Sequence, residues 1–113
     1  MDRKTENERA LQPQVCPTEI DALVSAGTLV IDVREPEDYV KSNVPGSVNI
    51  SITVLAEKAA AHIPNKHAAV ICYCNGGSRG PRAVAELQKL GYANVSSIAG
   101  GLRAYVSLRN GPQ

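Results

Sequence analysis

Two cysteines and an arginine lie close together in "CYCNGGSRG" (Cys72 to Gly80), and glycines fill the space between them. A thiol is nucleophilic as its thiolate, so a cysteine that does chemistry needs neighbours that stabilise negative charge. Gly76, Gly77 and Gly80 can supply them. Lacking a Cβ, they permit backbone conformations in which successive N–H groups turn inward as an anion-binding nest. Pro81 suits the first turn of a helix, whose positive dipole end would face the same loop. Cys74 opens this loop and is the candidate nucleophile. Asn75, Gly76, Gly77, Ser78, Arg79 and Gly80 form the candidate substrate-binding segment. A cation at Arg79 opposes the helix dipole unless an anion balances it, which favours a negatively charged substrate for Arg79 over the alternative of a merely solvated helix-start side chain.

Cys72 belongs to a different environment, because it sits inside the apolar run "AAVICY" (Ala68 to Tyr73). Side chains two apart on a strand share a face, with Cα atoms roughly 6.6 Å apart, near the upper limit for a disulfide. Cys72 is therefore predicted to pack in the core, and its alternative role is that of a redox partner if the loop curls back. Cys16 reads as a small buried hydrophobe. Three cysteines, an odd number, argue for free thiols rather than a disulfide framework.

The elements that must position Cys74 alternate along the chain. "CPTEIDALVSAG" carries Thr18 and Asp21 at capping spacing, apolar Ile20, Leu23 and Val24 at helical spacing, and Gly27 as a stop. Thr28 to Val33 is a β-branched run without alternation, as in a strand buried on both faces. Pro36 suits the start of a helix through Tyr39 and Val40, "VPGSVNI" a turn into a short strand near Val48, and "TVLAEKAAAHI" a helix closed by Pro64. Ala68 to Tyr73 is a second buried strand. A helix with Ala83, Val84, Leu87 and Leu90 on one face ends at Gly91, followed by a strand near "NVSSI" and a last helix from about Leu102. The class is α/β: a single domain with a central, mostly parallel sheet and helices on both faces. Residues 1–14 read as a polar, flexible tail and 15–113 as the domain.

Sites in open parallel sheets lie beyond the carboxyl ends of strands. A second loop there, after Val33, carries Asp32, Arg34 and Glu35. Asp32 and Arg34 are supporting candidates that orient the cysteine loop or tie loops together, with Glu37 as another partner for Arg34. His62 and His67 flank Pro64 without the cysteine spacing of a zinc site, so no metal or other cofactor is assigned. A net charge of +1 with four tyrosines and no Phe or Trp gives no nucleic-acid footprint. No apolar run approaches the roughly 20 residues of a membrane span, and "MDRKTENERA" lacks the apolar core of a secretory signal, which together point to the cytoplasm.

These residues resemble the rhodanese homology domain, a sulfurtransferase module. Its loop pattern C-x-x-G-x-R, followed by a small residue and a helix, is matched by Cys74, Gly77, Arg79 and Gly80. "IDVREPEDYVKSNVPGSVNI" is similar to the family's Asp-Val-Arg-Glu, aromatic, Pro-Gly and Asn-Ile succession, and "IAGGLRAYV" to its closing Gly-Gly signature, with Tyr105 where a Trp is common. The resemblance implies a double displacement through a Cys74 persulfide, from a donor such as thiosulfate to cyanide or a thiol. The loop ends in "SR", unlike the Cys-Gly-Ser/Thr-Gly-Val-Thr loop of mercaptopyruvate-type enzymes, which favours thiosulfate as donor. Two alternatives stay open: a sulfur-relay or interaction module working with a protein partner, and a phosphatase or arsenate reductase on the same fold. The last needs C-x5-R, and Arg79 is one residue too early from Cys74 and one too late from Cys72.

Overall fold

The computed structural model describes residues 12–110. Five parallel strands form one sheet in the order β1, β5, β4, β2, β3, where β1 is Gln14–Val15, β2 Leu29–Asp32, β3 Val48–Asn49, β4 Val70–Tyr73 and β5 Val95–Ile98. A 3-10 turn, Pro17–Glu19, leads into helix α1, Ile20–Ser25, and the later helices are α2, Pro36–Lys41; α3, Leu55–His62; α4, Arg79–Lys89; and α5, Gly101–Arg109. Every strand is parallel, so each connection crosses a face of the sheet.

The β-branched runs form the centre because strands covered on both sides need apolar side chains at every position. All four residues of β4 are buried, and in β2 only Leu29 is partly exposed. On one face Cys72, Cys74, Val70, Ile31 and Val95 pack under Leu55 and Ala59 of α3 and Ala83, Val84 and Leu87 of α4. Ile71, Tyr73, Val30 and Ile98 cover the other face with Ile20 of α1 and Leu102 and Tyr105 of α5. The core is aliphatic, with tyrosines as its only large rings. Their hydroxyls make specific bonds: for example, Tyr73 Oη accepts the Val44 N–H at 3.0 Å beside the Pro45-Gly46 turn, and Tyr92 Oη donates to the Ile63 carbonyl at 2.6 Å.

Two expectations change. Residues 1–11 lie outside the described residues, but Gln12, Pro13 and Gln14, assigned to the tail, are part of the domain. Gln12 Nε2 donates to the Pro81 carbonyl at 3.0 Å, Ser97 N–H donates to the Pro13 carbonyl at 3.1 Å, and β1 pairs with β5. A two-residue edge strand has no periodicity to detect. The expected Thr18–Asp21 cap is also replaced: at the 3-10 turn the Cys16 N–H donates to Glu19 Oε1 at 3.2 Å, α1 itself has no side-chain cap, and Asp21 accepts from Tyr105 Oη at 2.6 Å and from Arg109 at 3.0 Å.

The strand order reverses between β2 and β4, whose ends are aligned: Asp32 pairs with Tyr73. The Asp32 loop and the Cys74 loop therefore emerge side by side, in the crevice where this architecture places its sites.

Candidate active site

Cys74 is the first residue beyond β4 and is 3% exposed. Its Sγ accepts a hydrogen bond from the Gly80 N–H at 3.2 Å. Gly80 is the second residue of α4, one of the helix-start donors left without a carbonyl partner inside the helix. The helix begins at Arg79, ahead of Pro81, so this N–H reaches the sulfur directly.

The loop is held from its other side by the start of α5. Leu102 N–H donates to the Cys74 carbonyl at 2.8 Å, and Arg103 N–H to the Asn75 carbonyl at 3.0 Å. That approach requires glycine. At Gly101, φ is +64°, and a Cβ would lie 2.6 Å from Gly76 N and 2.7 Å from the Cys74 carbonyl oxygen. Gly76 has φ of +154°, and a Cβ there would stand 3.0 Å from the Gly100 carbonyl oxygen. Loop and helix start are pressed backbone to backbone.

Beside Cys74 lies a cavity of about 50 Å³, walled in part by Gln14, Gly76, Gly77, Gly80, Ser97 and Gly101. Ser97 is buried, and its Oγ has no hydrogen-bond partner among the described residues. Asn75, Ser78 and Arg79 do not wall the cavity. Arg79 is half-buried on the first turn of α4 and makes no hydrogen bond or ion pair with the described residues.

Asp32 and Arg34 are buried together at the end of β2. Arg34 Nη2 and Asp32 Oδ2 are 2.6 Å apart, Arg34 Nε donates to both carboxylate oxygens at 3.0 and 3.1 Å, and the Arg34 N–H donates to Oδ1 at 2.8 Å. The hydrogen bonds to Asp32 raise the pKa of Arg34 still further, so its charge is fixed. Its remaining nitrogen, Nη1, donates to Asn75 Oδ1 at 3.0 Å. The pair thus ties the β2 end to the residue after Cys74 and does not wall the cavity. Glu37 is exposed and is no partner of Arg34: the carboxylate two residues before the arginine on the chain already occupies that place. Glu35 Oε2 accepts instead from Ser51 Oγ at 2.7 Å.

The three cysteines are all free, and each has a different environment. Burial pushes the Cys72 thiol up to about 12, well above its ordinary value, which keeps it protonated and inert. Cys16, expected in the core, is exposed because it opens the 3-10 turn at the end of an edge strand. A hydrogen bond from the Thr18 hydroxyl, with oxygen and sulfur 3.1 Å apart, lowers its pKa.

The sequence gives no direct sign of the contribution of α5. Its Gly-Gly pair marked a helix boundary in a family signature, yet only the fold brings that boundary against Asn75 and Gly76.

A parallel sheet with a cysteine loop at its switch point, gripped by a glycine-led helix start, defines a rhodanese-type domain. The family described as Rhodanese-like domain matches residues 17–108, and the chain belongs to it. It is 40% identical over 73 residues to thiosulfate sulfurtransferase PspE of Escherichia coli (strain K12), covering 65% of this chain and 69% of that protein. Over 97 residues it is 33% identical to the tRNA uridine(34) hydroxylase of Teredinibacter turnerae, covering 81% of this chain but only 30% of that longer protein. Among solved structures, the human single-domain sulfurtransferase TSTD1 superposes with a TM-score of 0.74 at 25% identity, covering 83% of this chain and 95% of that one. These likenesses support sulfur transfer as the general chemistry. Among the described residues, no helix is long and apolar enough to cross a membrane.

Proposed function

We propose that this chain is a thiosulfate sulfurtransferase that works through a persulfide on Cys74. The observation that carries the reading is the Gly80 N–H directed at Cys74 Sγ at 3.2 Å beside a small glycine-walled cavity. Fixed backbone dipoles stabilise a sulfur anion without reorganising during the reaction. In the first half-reaction the Cys74 thiolate attacks the outer sulfur of thiosulfate, the sulfur–sulfur bond breaks, and sulfite leaves with the electron pair. In the second, cyanide or a thiolate attacks the outer sulfur of the Cys74 persulfide. Thiocyanate or a new persulfide departs, and the pair from the broken sulfur–sulfur bond returns to Cys74 as thiolate.

Arg79, without a carboxylate partner, supplies charge for the donor, and Asp32 and Arg34 position the loop through Asn75. Neither step draws on a metal. The name of the 40% identical relative supports thiosulfate as donor. Three free thiols suit the cytoplasm, which we propose as the compartment.

The test is intact mass measurement after thiosulfate treatment and desalting. The wild type and Cys72→Ser should each gain the mass of one sulfur atom, released by cyanide as thiocyanate, while Cys74→Ser gains nothing. A sulfur adduct that persists in Cys74→Ser would overturn the site. If the wild type were inert towards thiosulfate but loaded by a persulfide-bearing protein, the relay reading would replace it.

A further inference from the structure

We propose that Arg103, on the first turn of α5, is a specificity-determining residue that reads the charge of the sulfur donor. This rests on the sulfurtransferase reading and adds a second cation to the same site. The Arg103 backbone is fixed to the loop by its N–H on the Asn75 carbonyl at 3.0 Å. Its guanidinium folds back along the loop: Nη1 lies 3.9 Å from the position a Cβ on Gly76 would take, and Gly76 is part of the cavity wall beside Cys74.

The side chain is exposed and makes no hydrogen bond or ion pair with the described residues. Arg82 of α4 is likewise exposed, with no side-chain hydrogen bond or ion pair to the described residues, whereas two other arginines are held by carboxylates. Arg34 is held by Asp32, and Arg109 by Asp21 at 3.0 Å. Arg103 shares the arrangement of Arg79: a cation without a carboxylate partner on the first turn of a helix, where the dipole disfavours positive charge and welcomes an anion. The helices that carry these two arginines both start against the Cys74 loop, one donating to its sulfur and the other to its carbonyls. Neither arginine lines the cavity, so both offer their charge from outside its wall, where the anionic remainder of a donor seated at Cys74 would extend. A compact dianion is the donor class this arrangement selects, because two separate cations reward two charges.

The test compares thiosulfate, a dianion, with methanethiosulfonate, a monoanion that offers the same outer sulfur and releases a sulfinate in place of sulfite. Arg103→Gln should raise KM for thiosulfate about tenfold, the cost of one charge-assisted contact, with kcat little changed. Its effect on methanethiosulfonate should be much smaller, and Arg103→Lys should restore most of the thiosulfate affinity. Lys89→Gln, the same charge loss at the far end of α4, should alter neither donor. Equal effects on the two donors, no effect on either, or an effect matched by Lys89→Gln would overturn the assignment while leaving the sulfurtransferase reading intact. A wild type that forms no Cys74 persulfide from either donor would remove both.

Discussion

Two loops leave adjacent strand ends in this protein, and they are built on opposite plans. After β2 the chain places Asp32 and Arg34 so that each neutralises the other, with nearly every polar atom of the pair occupied and both side chains buried. After β4 it places Cys74 under a helix-start N–H, beside a cavity, with Arg79 and Arg103 nearby and no carboxylate on either. The first loop has satisfied its own charges and so serves as a support. The second has left its positive groups without a carboxylate, which is the arrangement the proposed anionic donor would complete.

The largest effect should come from breaking the grip of α5 on the Cys74 loop. Gly101→Ala puts a Cβ 2.6 Å from Gly76 N, where only backbone could move, and adds strain at a φ of +64°. Persulfide formation should fall by orders of magnitude. Gly77→Ala, with nothing within 4 Å of its new methyl, should leave the rate within a few-fold of wild type. If both variants load sulfur normally in the intact mass assay, the packing of glycine against glycine is not what shapes the site.

The supporting loop should respond in stability first. Asp32→Ala leaves the Arg34 guanidinium buried without its counter-ion, which costs about 3–5 kcal/mol. Urea denaturation measures this directly. A loss under about 1 kcal/mol would mean that the pair is not the tie described here, because that is the range of an exposed ion pair.

The smallest effect concerns Cys72. Its thiol has a pKa of about 12 in the fold against an ordinary 9.0, so between those values the folded chain holds a proton that the unfolded chain has released. Stability from this group is complete below pH 9 and declines as pH rises towards 12, by at most about 1.4 kcal/mol per pH unit. Tyr73, also raised to about 12 by burial, adds to the decline from pH 10 upward. Cys72→Ala should make the urea midpoint flatter between pH 9 and 10. An unchanged slope would mean that the Cys72 thiol does not titrate as its burial implies.

Legibility in the sequence follows the same division. The two cysteines differ by their neighbours: Cys72 sits in a run of apolar residues that can only be a covered strand, and Cys74 precedes glycines that can only be a loop. Strand and helix positions were readable wherever an apolar period or a Gly or Pro marked them, as at Gly27, Pro36 and Gly91. Arg34 was readable as an ion-pair partner, but its choice of Asp32 over Glu37 depends on which carboxylate the strand end buries. Cys16 carried no such marker, and its exposure comes from its place at the end of an edge strand two residues long.

Local features are what the sequence determined by itself: a parallel α/β sheet, a candidate nucleophile at the end of a buried strand, and a glycine loop running into a helix start whose Gly80 N–H meets it. Those features depend on residues near one another along the chain, where spacing alone fixes which side chains share a face. The tertiary structure decided which distant segments complete the site. Gly101 and Arg103 reach Asn75 and Gly76 across more than twenty residues of chain because β5 pairs beside β4 and delivers α5 to the same edge. Pairing order is set by the packing of the whole sheet, and no local pattern encodes it.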